Sequence, residues 1–252
     1  MVKGLDVFRE HFRAYSDQYI LIGGTACDLA MTEVGDNFRA TKDLDIVLCV
    51  EALDAAFVKA FWDFVRSGGY NRREKASGQR RFYRFQKPSE ENYPAMLELF
   101  SRKPDVLSLA EGSELTPIPM DEEVSSLSAI LLDDGYYQFL SSGAKEKDGL
   151  RFVGPERLIP LKARAWMDLT KRKGHGEAVD EKDIKKHKND VFRLYRIIAP
   201  AFGSEVPELV RGDMDTFLTR MQDENIDLNA LGLGNAKKKD ILADLRKIYC
   251  GG

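Results

Sequence analysis

Cysteine is scarce. Cys27, Cys49 and Cys250 are an odd number with no metal-ligand spacing, which excludes a disulfide framework and fits buried thiols in a reducing compartment. His11, His175 and His187 are equally scattered and exclude a zinc pattern. No run approaches the roughly 20 apolar residues of a membrane helix, and Met1 to Glu10 lacks the apolar centre of a signal peptide, so no membrane partner and a cytoplasmic location are expected. Charge of one sign is also lacking: the net charge of -3 argues against a protein that coats nucleic acid by bulk electrostatics. Internal repeats and low-complexity segments are absent too.

What is present is ordinary globular material, with 43% hydrophobic and 31% charged residues in 252. Leu5 to Tyr15 has helical spacing; Tyr19 to Ile22 is a short apolar run ended by Gly23-Gly24, which reads as a buried strand entering a tight turn. A helix over Ala26 to Met31, a polar loop from Thr32 to Arg39 and a strand at Asp43 to Leu48 follow. Leu53 to Val65 is an amphipathic helix closed by Gly68-Gly69. Arg80 to Phe85 and Ala95 to Phe100 read as strands, and Arg102 to Pro119 as a proline-broken loop. Asp133-Asp134-Gly135 between Ser126 to Leu132 and Tyr136 to Leu140 predicts a hairpin. After Gly154-Pro155 the texture changes to four long helices, Glu156 to Lys173, Glu181 to Ile198, Pro207 to Gln222 and Ala236 to Tyr249. The expected division is therefore a mixed-sheet domain over 1–154 and a helical domain over 155–252.

The chemistry concentrates in the first half. Successive strand side chains alternate faces, so Asp43 and Asp45 point the same way while Leu44 and Ile46 point into the core. Two anions so close on an apolar strand repel and lose solvation unless a cation compensates them. Magnesium suits this role, since it takes hard oxygen ligands from one or two carboxylates together with substrate phosphates. Glu98 repeats the anomaly between Leu97 and Leu99 and is a candidate third carboxylate. Gly23-Gly24-Thr25, at a strand end and a helix start, offers exposed N–H groups, the positive helix end and a hydroxyl for phosphate oxygens. Each piece alone is an ordinary turn or a surface strand; the order in which they occur is what carries information.

That order, strand, Gly23-Gly24-Thr25, helix, polar loop, Thr41-Lys42-Asp43-Leu44-Asp45-Ile46 and a later carboxylate strand, resembles the nucleotidyltransferase superfamily that includes DNA polymerase beta. Beyond this core the chain looks closest to the abortive-infection toxin branch, on Leu158 to Ala165, Lys182-Asp183-Ile184 and Lys188-Asn189-Asp190. The gap between Gly24 and Asp43 is longer than the superfamily's usual spacing, with Thr32 to Arg39 as the insertion. The resemblance implies an α+β nucleotidyltransferase-like mixed sheet with flanking helices, followed by a C-terminal helical domain. It implies that Asp43, Asp45 and Glu98 hold two magnesium ions and catalyse pyrophosphate-releasing transfer of a nucleoside monophosphate. Gly23, Gly24, Thr25, Lys162, Lys182 and Asp183 would bind the nucleoside triphosphate. The implied acceptor is RNA such as tRNA, with a cognate antitoxin protein as a further partner. The alternatives are an aminoglycoside-type small-molecule acceptor and a non-catalytic interaction module of the same fold. The lysine-rich runs of the second half could present a positive face to RNA, or form solvated helix surfaces such as the face expected around His187.

Overall fold

The apolar run Tyr19–Ile22 becomes the central strand because every one of its side chains is buried. A computed structural model describes residues 2–39, 41, 43–49, 54–70, 82–101, 133–198 and 206–251. Within them the chain is α+β, with a six-stranded mixed sheet and eight α-helices. The elements, in chain order, are α1 (Leu5–Phe12), a 3-10 turn (Arg13–Gln18), β1 (Tyr19–Ile22), α2 (Gly23–Glu33), β2 (Asp43–Leu48), α3 (Ala55–Ser67), β3 (Phe82–Gln86) and β4 (Met96–Phe100). There follow α4 (Asp134–Ser142), β5 (Ala144–Lys147), β6 (Leu150–Val153), α5 (Pro155–Gly174), α6 (Glu181–Tyr195), α7 (Glu208–Arg220) and α8 (Lys238–Cys250). The described residues fall into two compact units, one containing the sheet with α1 to α3, the other containing α4 to α8.

The strand order is β3-β4-β2-β1-β6-β5. β2 runs antiparallel to β1 and parallel to β4, while β1 is parallel to β6. Alternation gives the sheet two unlike faces. One carries Tyr19, Leu44, Leu48, Phe85 and Leu97, all buried. Against it lie the aromatic stripes of α1 and α3: Phe8 meets Tyr19 edge-on with ring centroids 5.3 Å apart, Phe12 meets Phe64 at 5.3 Å, and Phe61 meets Phe85 at 5.5 Å. Each fully buried ring of this kind contributes about 1.5–3 kcal/mol by leaving water. The other face carries Asp43, Asp45 and Glu98, so the aromatic layer fixes which way the acids look.

The hairpin forms elsewhere than the sequence suggests. Asp133-Asp134-Gly135 does not turn a hairpin: the Asp133 carboxylate accepts from the Gly135 and Tyr136 N–H groups at 2.8 and 3.1 Å and caps α4. Asp followed by Gly suits a cap as well as a turn, and here the helical stripe decides, since Tyr136, Tyr137, Phe139 and Leu140 are all buried. The first arm expected for that hairpin, 126–132, and the loop expected over 102–119 lie outside the described residues. The actual hairpin is β5–β6, whose turn residues Asp148 and Gly149 both have positive φ, 52° and 76°, as a type I′ turn requires.

The helical unit is built on its longest helix. α5 starts with Pro155 in its first turn, where the missing N–H costs nothing, and ends at His175 with Lys171, Arg172 and Lys173 in its last turn, complementing the negative helix end. Trp166 packs edge-on against Phe217 of α7 at 5.4 Å, and the Tyr249 hydroxyl of α8 donates to the Glu156 carbonyl at 2.9 Å. Asp213 of α7 accepts from Tyr136 Oη at 2.7 Å and from Arg164 Nη1 at 2.6 and 2.8 Å, tying α4, α5 and α7 together. Among the described residues no helix is long and apolar enough to cross a membrane.

Asp133→Ala removes the α4 cap and is expected to cost about 0.5–2 kcal/mol, whereas Asp133→Asn should cost little. Urea unfolding of both variants checks this, and equal midpoints for Ala and wild type would contradict the cap.

Candidate functional site

β2 keeps both aspartates at the surface of an otherwise buried strand. Asp43 and Asp45 are half-buried while Leu44, Ile46, Val47 and Leu48 are buried. Because β4 runs parallel to β2 with Asp45 opposite Glu98 and Asp43 opposite Met96, Glu98 lies on the same face and beside Asp45. Of the three expected acids, Asp45 and Glu98 are thus brought side by side, and Asp43 stands one pleat along. Among the described residues no group of three or more His, Cys, Asp or Glu side chains is arranged to hold a metal ion.

Glu98 has further company. Arg84 of β3 stands opposite it and holds its Oε1 from both Nε, at 2.7 Å, and Nη2, at 2.5 Å. Arg84 was not anticipated, because its only signal was a cation at an alternating position of a strand whose register the sequence does not reveal. Glu98 is 7% exposed. Burial, then the negative charge of Asp45 and the hydrogen bond with it, push the Glu98 carboxyl up to about 9, and the Arg84 guanidinium only partly opposes the rise. The Glu98 carboxyl therefore keeps its proton to higher pH than a free carboxylic acid does.

The glycine turn meets the same carboxylate. Gly23 has φ 62°, and a Cβ on it would lie 1.7 Å from Asp45 Oδ2, so only glycine lets the carboxylate approach the start of α2. Thr25 is fully buried and its hydroxyl donates to the Asp43 carbonyl at 2.8 Å, which pins α2 to β2. This departs from the sequence-based expectation of an open turn. Gly23, Gly24 and Thr25 all lie inside the first turn of α2 and are buried; Thr41 covers Gly24, where a Cβ would meet its Oγ1 at 2.6 Å. The reason is the packing of two neighbouring strands against one helix end, which commits the Thr25 hydroxyl internally.

The sheet face continues into a cleft of about 370 Å³ lined by Asp43, Met96, Gln86, Lys87, Lys3 and Glu90 among others. This volume lies within the range of small-ligand sites.

In the helical unit Lys162 is 5% exposed and forms an ion pair with Asp190 of α6 at 3.4 Å; Asp190 is fully buried and is also met by Arg193 at 3.2 Å. His187 is buried beside them, so the face expected to be solvated there is instead an internal polar seam between α5 and α6. Lys182 is exposed, while Asp183 pairs with Lys186 at 3.6 Å. Much of the basic character expected for an RNA face is neutralised locally: Arg172 pairs with Glu177, Lys173 with Glu181 and Lys188 with Glu224. Lys171, Lys182 and Lys185 remain exposed. Compared with known protein families and with curated proteins, the sequence matches none of the family models and none of the curated proteins.

The raised Glu98 carboxyl has a stability consequence with a definite sign. The folded chain holds a proton that the unfolded chain releases near pH 4.5, so this contribution is complete below about pH 4.5 and is lost as pH rises through about 9. Stability should therefore fall as pH rises from about 6 to 9. Glu98→Gln should flatten that slope in thermal melts of the metal-free protein; an unchanged slope would remove Glu98 as its source.

Proposed function

We propose that this chain is a magnesium-dependent nucleotidyltransferase that moves a nucleoside monophosphate from a nucleoside triphosphate to an acceptor hydroxyl. The observation that carries the reading is the meeting of Asp45, Glu98 and the side-chain-free Gly23 at one point of the sheet face, with Asp43 one pleat away. The order of these elements along the chain supports it as well. The donors fit magnesium chemically, being hard carboxylate oxygens with no imidazole or thiolate among them, and magnesium commonly takes one or two carboxylates and completes its shell with phosphates. Asp43 and Asp45 would hold it, and Glu98 would join on releasing its proton.

Magnesium bound there supplies charge neutralisation on the triphosphate and lowers the barrier to hydroxyl attack. The chain's own residues do the rest. Asp43 and Asp45 set where the ion-bound phosphates lie, and the start of α2 bars any side chain from that spot. Arg84 orients the Glu98 carboxyl and limits the charge that accumulates when it ionises. In the transfer, the acceptor oxygen would form a bond to the α-phosphorus as its hydroxyl proton passes to solvent, and the bond from the α-phosphorus to the α–β bridging oxygen would break, with pyrophosphate carrying away the electron pair. An RNA end, such as that of tRNA, is the acceptor favoured by the exposed Lys171, Lys182 and Lys185. An aminoglycoside-type acceptor would bind with far less salt dependence. A cognate antitoxin protein is the partner that the same resemblance suggests.

One specific observation favours a second reading, a non-catalytic module of the same fold: the Arg84 guanidinium already provides a cation on Glu98. Magnesium titration separates the two. In the enzyme, metal binding displaces the proton on Glu98, so calorimetric binding at pH 7.5 should release about one proton per protein, measured in buffers of different ionisation enthalpy. A module would bind no magnesium and release none. With magnesium, labelled nucleoside triphosphates and total RNA, pyrophosphate release should fall at least about a hundredfold in Asp45→Asn while the fold persists by circular dichroism. Full activity in that variant would overturn the assignment.

A further inference from the structure

The buried glycine turn leaves a question of phosphate recognition, and the cleft beside Asp43 answers it. Lys162 is engaged with Asp190 inside the helical unit, and Gly23 and Gly24 are buried in the first turn of α2. Two other cations stand on the cleft that Asp43 lines: Lys3, before α1, and Lys87, just past β3. Both are exposed, and neither forms an ion pair within the described residues.

Both are held there by backbone that a merely solvated lysine does not need. Gly4, next to Lys3, has φ 77°, and a Cβ on it would lie 2.1 Å from Pro94 N, so the chain presses directly onto the β3–β4 connection. Lys87 itself has φ 54°, a left-handed conformation costly for a residue with a Cβ, and its N–H donates to the Ala95 carbonyl at 3.2 Å. Glycine or asparagine is the usual solution at such a position; strained backbone of this kind concentrates at ligand clamps.

We propose that Lys3 and Lys87 form the polyphosphate clamp of this protein, receiving the β- and γ-phosphates of a nucleoside triphosphate in the cleft next to Asp43; this rests on the nucleotidyltransferase reading above. The cleft's charge makes the clamp conditional on metal. Lys3 and Lys87 face three carboxylates, Asp43, Glu90 and Glu91, so the lining is net negative and rejects a free polyanion. A divalent cation at Asp43 reverses the sign, so the cleft accepts the magnesium complex and excludes the free polyphosphate. Lysine suits the role as a point charge for phosphate on a flexible stem.

The test is calorimetric binding of magnesium tripolyphosphate to the full chain, beside binding of magnesium alone. Lys3→Ala/Lys87→Ala should weaken the tripolyphosphate complex at least tenfold without weakening the binding of magnesium alone, since it removes positive charge from beside Asp43. Lys59→Ala/Lys147→Ala, which removes the same charge elsewhere on this unit, should change it less than twofold. Glu90→Gln/Glu91→Gln should tighten it and admit metal-free tripolyphosphate. Lys87→Gly separates binding from folding: glycine relieves the left-handed strain, so Tm should rise while affinity falls, and Lys87→Arg should restore most of the affinity. Wild-type affinity in the double lysine variant, or equal loss in the Lys59/Lys147 control, overturns the clamp and leaves the nucleotidyltransferase reading standing. A wild-type chain that binds magnesium with proton release but not magnesium tripolyphosphate overturns the clamp alone. A chain that binds neither overturns both.

Discussion

The constraint on which the sheet unit's chemistry depends is a carboxylate with no room to withdraw. Asp45 is bounded on one side by Gly23, where a single carbon would collide with it, and on the other by Glu98 across a parallel ladder. Parallel pairing of β2 and β4 fixes that neighbour, because a slip of one residue would turn Glu98 into the aromatic layer and Leu97 or Leu99 out of it. The apolar packing of α1 and α3 thus holds two like charges together indirectly. It makes the wrong register expensive, and Arg84 offsets part of the cost of the acid pair.

How much of this was legible follows from the range of the signals. β1 and β2 were readable at Tyr19–Ile22 and Asp43–Leu48 because their cues are local: an apolar run stopped by glycines, and polar–apolar alternation beginning at Asp43. Glu98 was readable as a charge between leucines. Arg84 was not, because its role exists only once β3 lies antiparallel to β4, a pairing between residues 14 positions apart. The burial of Gly23 and Gly24 was hidden for the same reason: the cover comes from Thr41 and Asp45, far along the chain. The turn chemistry of Asp133-Asp134-Gly135 was ambiguous, and the turn at Asp148-Gly149 was not read from the sequence. The first became a cap because buried aromatics at helical spacing follow it, the second a hairpin because short strands flank it.

The helical unit shows a related limit. Four of its helices were readable from periodicity after Gly154, yet the partners of their charges were not. Lys162 and Asp190 find each other across 28 positions and are shielded from water, so a lysine at the margin of an apolar stripe became part of a buried seam. A buried pair of this kind contributes less to net stability than to fixing which faces of α5 and α6 meet, because removing either partner strands the other charge. The ion pairs of Arg172, Lys173 and Lys188 have the converse meaning. They lie near the surface, add little to stability, and reduce the positive charge offered to a polyanion.

These observations shift where recognition and chemistry sit on the sheet unit. A sequence with Gly-Gly-Thr before an Asp-x-Asp strand invites the view that backbone amides at the helix start take the phosphates. Here the same glycines make a different contribution, letting a carboxylate and a threonine close onto the helix. Once that space is filled, anion recognition has to come from side chains outside it, and charge balance decides which. Exposed cations that face a larger number of carboxylates do not attract phosphate by themselves. On the proposed reading they would do so once a metal at Asp43 inverts the field, and metal and polyphosphate would then each raise the affinity of the other by the same factor.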